Sequence, residues 1–411
     1  MHATAAVIPA ARPPLLRATL TLMAGGALAQ ALPLLLGPLL TRLYVPAEFG
    51  AYHLFAAVAA NVAVVACARY EHALPLARDD GEARALVVLC RWILLGAIGL
   101  SLVAAVIWAA VIGQVWPLWL PAAVGALGGL SLATLAAMRA QRFAALAASR
   151  VLQHGGGAAL QAVAGAAGAG LSGLIVAPIA AALAATAWLR PRLAQGRRTP
   201  RAVLRAVAVQ HKAFPLLNTP HAFMGALQDT LAVALIAAWQ GPAAAGFWGL
   251  ALRYLKAPAT LVGGAVSQAL YPALADRGAA SASGRSAVRR VMRALALCAL
   301  PLVVLLWLAA PAAFALAFGE AWREAGELAR ALALYIGLHF VASPLAVVTM
   351  AWGAQAWALK LALAGQALFV AALAAGLALG GLNGAGWAVS AAMLLYFGWY
   401  FWRLATWPVA P

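Results

Sequence analysis

Arg253 and Lys256 stand one turn apart in GFWGLALRYLKAPATLVGGAVSQ (Gly246 to Gln268), a run otherwise apolar enough to cross a membrane. A guanidinium and an ammonium placed together suit one kind of chemistry, the holding of anionic oxygens such as those of phosphate. Each such cation costs about 2.5–3.5 kcal/mol at the centre of a spanning helix, which favours a water-filled cavity or a paired site over lipid. The neighbouring residues agree: Gly246, Gly249, Arg253, Lys256, Thr260, Gly263 and Ser267 follow at steps of 3, 4, 3, 4, 3 and 4 and share one helix face. Phe247, Leu250, Tyr254 and Leu261 take the opposite face, where they meet lipid or other helices.

The preceding apolar segment has its own polar stripe of Asn218, His221, Gly225 and Gln228, with Asp229 beside the last. At 1.5 Å per residue, Asp229 lies about 21 Å from the Pro215 end of its helix, and Arg253 about 15 Å from the opposite end of the next. Across a hydrocarbon core of roughly 30 Å the two depths differ by several ångströms, within reach of an arginine side chain. An ion pair there would make the charges tolerable, yet one carboxylate cannot neutralise two cations. The remainder is a positive site for an anionic ligand. Pro258 removes a helical hydrogen bond just beyond Lys256 and predicts a kink. Pro33, Pro215 and Pro220 give the related helices similar freedom to bend.

The residues expected to contact substrate are therefore Arg253 and Lys256. Polar residues expected to line the cavity are Gln30, Asn61, Asn218, His221, Gln228, Asp229, Thr260 and Ser267. Arg42, Arg69 and Glu71 at membrane edges, together with Pro258, are candidates for gating or coupling, although edge charges are commonly structural anchors. No catalytic constellation, metal-ligand spacing or phosphate-binding loop stands out. Cys67, Cys90 and Cys298 all lie in apolar stretches and read as buried thiols.

These side chains need helices to position them. The 411 residues are 65% hydrophobic and 9% charged, far below the roughly 25% charged residues of soluble domains. That composition describes a polytopic membrane protein, so the net charge of +18 reports topology and not nucleic acid. Runs of about 20 apolar residues give twelve spans: 18–41, 50–68, 87–112, 117–138, 151–169, 171–189, 214–239, 243–272, 294–318, 327–350, 356–379 and 383–403. The start of the chain lacks the pattern of a cleaved signal and is expected to lead into a retained first helix. Basic residues of the loops collect on one side, in Arg78 and Arg84, Arg139 and Arg142, Arg190 to Lys212, and Arg277 to Arg293. The other side keeps only Arg42 and Arg323, which predicts cytoplasmic termini. A loop at Arg253 to Lys256 would break this parity, so those residues stay inside a span.

The linker at 190–213 divides a short tail and bundle (1–17, 18–189) from a second bundle and tail (214–403, 404–411). PAEFGAYHL at Pro46 to Leu54 and PAAAGFWGL at Pro242 to Leu250 open the second and eighth spans with the same spacing of Pro, Gly and aromatic residues. Gln30 and Gln228 precede them by similar distances. The match supports two parallel six-helix halves with a path between them. The equivalent faces of the first half, Gly26, Gln30, Pro33 and Gly37 and then His53, Ala57 and Asn61, carry no charge.

Three blocks of sequence resemble the polysaccharide biosynthesis proteins, including Wzx-type O-antigen flippases: Leu34 to Ala83 with TRLYVPAEFG and ARYE, Phe214 to Arg277, and Phe318 to Val348. The resemblance implies an all-α, MATE-like integral membrane fold of the MOP superfamily, with twelve transmembrane helices in two six-helix bundles around a central cavity. It also implies the substrate, an undecaprenyl-diphosphate-linked oligosaccharide repeat unit turned from the cytoplasmic to the periplasmic leaflet of a bacterial inner membrane for surface polysaccharide such as O-antigen or exopolysaccharide. The diphosphate would then meet Arg253 and Lys256. Other polysaccharide-assembly proteins and the lipid bilayer are the expected partners, with no nucleic acid.

Such a chain is expected to be a transporter working by alternating access, without a cofactor. A proton or sodium gradient would act through Asp229, His221 or Glu71. The alternatives are a MATE-like multidrug or cation antiporter, which would call for more intramembrane acids, and a membrane polysaccharide polymerase or ligase, which would call for larger outer loops.

Overall fold

The computed structural model describes residues 15–189, 199–275 and 281–408, and they are almost wholly helical. Nine stretches of the described residues are long and apolar enough to cross a membrane. Two of these hold two crossings each, divided at Gly241 and at Gly380–Gly381, where the backbone leaves helical geometry. A further crossing, 143–166, is interrupted by a π turn at Leu152–Gly156. The described residues thus contain the twelve expected spans.

In the first half α1 is Leu15–Leu43, α2 Pro46–Val65, α3 Asp80–Ile112, α4 Leu120–Arg139, α5 143–166 and α6 Gly170–Leu189. In the second half α7 is 214–240, α8 242–275, α9 Ala282–Phe318, α10 Arg323–Ala351, α11 355–379 and α12 382–405. Arg12 and most of the basic run from Arg190, with Arg277, lie outside the described residues, as does the tail before residue 15. Part of the linker forms a short helix, Arg201–Gln210. Its end is tied to the first half by Tyr70 Oη donating to Ala208 O at 3.1 Å and by contacts of Gln210 and His211 with Glu82 Oε1 at 2.8 and 2.7 Å.

Several ends have visible causes. Asp79 caps α3 by accepting from the Glu82 N–H at 2.8 Å. Ser281 does the same for α9 from the Gly284 N–H at 3.1 Å. Arg285 donates to Trp407 O at 3.1 Å and Arg289 to Ala405 O, so cations at the start of α9 satisfy open carbonyls at the end of α12. Large apolar side chains such as Leu100, Val111, Leu308, Leu316, Leu379 and Leu395 are exposed on the outside, as lipid-facing surfaces require. Cys67 and Cys90 are buried as expected, whereas Cys298 faces outward from α9. It lies among Leu297 and Leu300, which are also exposed, so its apolar surroundings are a lipid-facing surface and not a core.

The two halves join through the repeats themselves. Pro46 and Pro242 start α2 and α8, and the two helices cross at Gly50 and Gly246. A Cβ on Gly50 would lie 1.7 Å from Pro242 O, and one on Gly246 would lie 2.1 Å from Pro46 O. The approach is reciprocal, backbone against backbone. Around it Leu40, Tyr44 and Phe49 of the first half share a buried cluster with Trp248, Phe314 and Trp322 of the second. Phe49 meets Trp322 edge-on with ring centroids 5.1 Å apart, and Trp322 Nε1 donates to Thr41 O at 3.1 Å.

Candidate functional site

The α8 helix runs without interruption from Pro242 to Leu255, turns at Lys256 and resumes as Ala257–Ala275. Pro258, which brings no N–H, produces the expected break at the charged pair. Lys256 keeps right-handed geometry and its N–H still bonds to Leu252 O, so the segment is one bent span and not a loop. Tyr254, on the other face, donates to Leu34 O of α1 at 2.5 Å and anchors the helix across the interface.

Arg253, Lys256 and Thr260 face a cavity of about 650 Å³ between the halves. Gln30 and Pro33 of α1, His53 of α2 and His154 of α5 face it from the first half. Counted from the two prolines, Ala57 stands where the second half has Arg253 and Ala60 where it has Lys256, and all four residues line this cavity. The repeat therefore places two methyl groups opposite two cations. Such asymmetry gives an anionic ligand one wall to prefer.

Asp229 is also at the cavity, but its partner differs from the expected one. Its Oδ1 lies 3.9 Å from Lys256 Nζ, with 69% of the aspartate side chain exposed. The carboxylate thus meets the cation one helical turn beyond Arg253, at the break in α8. At that length and exposure the pair contributes about 0–1 kcal/mol, so Lys256 is held weakly. Arg253 has no ion-pair partner among the described residues. Two cations against one loosely held carboxylate leave net positive charge in the space between the halves.

Asp229 and Lys256 also line a second, open cavity of about 750 Å³, lined by helices of the second half. His221 and Gln228 face this space, so Gln228 is not the counterpart of Gln30 in the cavity between the halves. The remaining wall comes from residues that sequence reasoning did not single out: Tyr335 and His339 of α10, Trp357 and Gln366 of α11, and Tyr396 and Tyr400 of α12. Pairs four residues apart on α10 and α12 were the available signal, since they fall on single helix faces. The Trp357 ring stacks on Tyr400 with centroids 6.1 Å apart and planes at 16°. Aromatic faces, amides and imidazoles thus converge beside the ion pair.

Three expected lining residues face neither cavity. Asn61 is buried between α2 and α7, donating to Thr230 Oγ1 at 3.3 Å, while Thr230 donates to Ala57 O. Ser267 donates to Pro344 O at 3.2 Å, because beyond the bend the small-residue face of α8 packs on α10. Asn218 is exposed in a π turn at the start of α7. Arg42 is exposed at the end of α1. Arg69 and Glu71 sit in the turn after α2, apart from both cavities, and Glu71 is buried. Arg330 is paired with Glu327 at 3.1 Å on its own helix.

The sequence matches the family model described as polysaccharide biosynthesis protein over residues 39–327. No curated protein matches it. Among solved structures it is similar to the lipid II flippase MurJ in an inward closed conformation, with a TM-score of 0.70 at 9% identity over 95% of this chain and 90% of that one. An inward-facing multidrug resistance MATE family transporter of the MOP superfamily gives 0.63 at 16% identity over 94% of each chain. A mutant of the Vibrio cholerae MATE transporter VcmN gives 0.56 at 16% identity over 95% of each. At these identities the likeness establishes a MATE-like, twelve-helix membrane fold.

Proposed function

Because the chain belongs to the polysaccharide biosynthesis protein family, we propose that it is a flippase that turns an undecaprenyl-diphosphate-linked oligosaccharide across a bacterial inner membrane by alternating access. The observation that carries this reading is the net positive wall formed by Arg253 and Lys256 beside the single carboxylate of Asp229. A diphosphate presents several anionic oxygens, enough to engage a guanidinium and an ammonium together. Its approach would displace Asp229 from Lys256 at little cost, given the length and exposure of that pair. The fold, shared with a lipid II flippase, suits a substrate whose lipid tail stays in the bilayer. The charge asymmetry of the loops favours cytoplasmic termini.

The glycan is assigned to the second cavity. Its volume lies within the roughly 300–1,000 Å³ of ordinary ligand sites. Ring faces for the apolar faces of sugars, and Gln228, Gln366 and His339 for their hydroxyls, form a wall that an isoprenoid chain would leave unsatisfied. Replacing Trp357 and Gln366 together by leucine is expected to weaken binding of the lipid-linked repeat unit extracted from the native host by about 30-fold, since a stacked ring and a neutral hydrogen bond contribute about 1 kcal/mol each. Binding of glycan-free undecaprenyl diphosphate should not change, which ligand titration in nanodiscs would read.

Asp229 and His221 are the groups through which a proton or sodium gradient would drive the cycle. Against an antiporter of cationic drugs, Asp229 is the only carboxylate among the described residues lining either cavity, and Arg253 and Lys256 outnumber it. The test is translocation of a fluorescent lipid-diphosphate oligosaccharide in proteoliposomes made with the purified chain. Transfer to the far leaflet at rates above empty vesicles is expected. Export of cationic dyes without any movement of the lipid would overturn the proposal.

A further inference from the structure

Cys67, Glu71 and Cys90 meet where α2 hands over to α3. After α2 the chain passes through two successive left-handed residues, Ala68 at φ 48° and Arg69 at φ 61°, before the short helix Tyr70–Leu76. That bend returns Glu71 to the side of Cys67, and Cys90 faces both from α3. The three are 1%, 2% and 0% exposed, and one ligand atom from each lies within 4.8 Å of the other two. Glu71 Oε2 has no hydrogen-bond partner, and neither has the buried Arg69 Nε two residues earlier. A bare carboxylate oxygen buried against two thiols is not what core packing selects, because an unsatisfied buried acceptor is costly.

We propose that Cys67, Cys90 and Glu71 form a binding site for a borderline-soft divalent cation of the zinc class. Two thiolates and a carboxylate are a zinc-type donor set, and calcium or magnesium would instead ask for a shell of oxygens. With Zn–S near 2.3 Å and Zn–O near 2.0–2.2 Å, tetrahedral ligand atoms stand about 3.6–3.8 Å apart. The observed cluster reaches that spacing by closing about 1 Å. Water or His72, whose Nε2 is 3.8 Å from Glu71 Oε1, supplies the fourth ligand. Binding releases one proton from each thiol to solvent, with no change of oxidation state. Three anionic ligands around a divalent ion leave one negative charge, which the Arg69 guanidinium offsets. The ion would staple the end of α2 to α3 beside the turn that carries Arg69 and Glu71.

The experiment uses the full chain in detergent, reduced and freed of metal, and titrated with Co²⁺ as the spectroscopic probe. One equivalent is expected to bind with a thiolate-to-cobalt band and the visible bands of a tetrahedral ion, and Zn²⁺ should displace it. Cys67→Ser and Cys90→Ser should each lose at least tenfold in affinity and part of the thiolate band, and the double variant all of it. In case a serine variant does not fold, alkylation of the wild type gives a second measure. Zn²⁺ should slow modification of Cys67 and Cys90 at least tenfold and leave the outward-facing Cys298 unaffected. Absence of a thiolate band with excess cobalt, a band that survives the double substitution, or a Cys67–Cys90 disulfide formed in glutathione buffer would each overturn the site.

Discussion

Replacing Arg253 and Lys256 together by glutamine abolishes transport of the lipid-linked oligosaccharide and weakens undecaprenyl diphosphate binding by at least about 100-fold, since hydrogen bonds to charged groups contribute about 1.5–3 kcal/mol each. The loss is electrostatic, and a second substitution separates it from general damage. Asp229 lies 3.9 Å from Lys256 and competes with the ligand for it. Asp229→Asn removes the competitor and leaves both cations facing the cavity, so it should bind the diphosphate as tightly as the wild type or more tightly. Lys256→Gln alone should move affinity the other way. Opposite signs for the two partners of one ion pair exclude simple unfolding, which would weaken binding in both. Added salt should narrow the differences, as the cavity is open to water on the Asp229 side. Wild-type affinity for the diphosphate in Lys256→Gln and in the double glutamine variant would remove the ligand from this wall.

Much of this site is readable from single helices, and what is not readable depends on how helices meet. The face that carries Arg253, Lys256 and Thr260 follows from helical spacing, and the break at Pro258 from the missing N–H. The pairing of Asp229 with Lys256 and not Arg253 depends on how α7 and α8 pack, which no spacing within either helix records. Ser267 continues the periodic stripe yet packs against Pro344 of α10. The second cavity is assembled from α7, α8, α10, α11 and α12, so the four-residue pairs on α10 and α12 are only its local trace and no single helix shows the space itself. Among the spans, α5 begins at 143 and not 151, because Arg150 does not mark a membrane edge: it lies within the helix and is exposed. The α9 helix begins at Ala282 because its arginines satisfy the open end of α12, an interaction invisible to hydropathy. The glycine crossing is half legible: the repeat shows in the sequence, but not that its two copies pack on each other.

That crossing sets the second large effect. Gly50→Val or Gly246→Val should reduce transport at least about tenfold while leaving the protein in the membrane, because overpacking at a tight contact costs about 1–3 kcal/mol or more. The obstacle at each site is a backbone carbonyl, Pro242 O at 1.7 Å or Pro46 O at 2.1 Å from the added Cβ, and neither can rotate aside. The helices must separate by more than about 1 Å to restore van der Waals distance. Separation would pull Phe49 from Trp322 and strain the Trp322 Nε1 bond to Thr41 O, which together join the halves at this end. Each half keeps its own buried cluster, so insertion and helix content should persist. Gly264→Ala is the control on the same helix, since a Cβ there meets nothing within 4 Å, and it should be neutral or stabilising by up to about 1 kcal/mol. Cysteines placed at Asn61 and Thr230, whose side chains meet at 3.3 Å between α2 and the second half, would report the state by cross-linking. Efficient cross-linking in the Gly264→Ala background and its loss in Gly50→Val are expected. Undiminished cross-linking together with abolished transport would show that the crossing is not where the halves part.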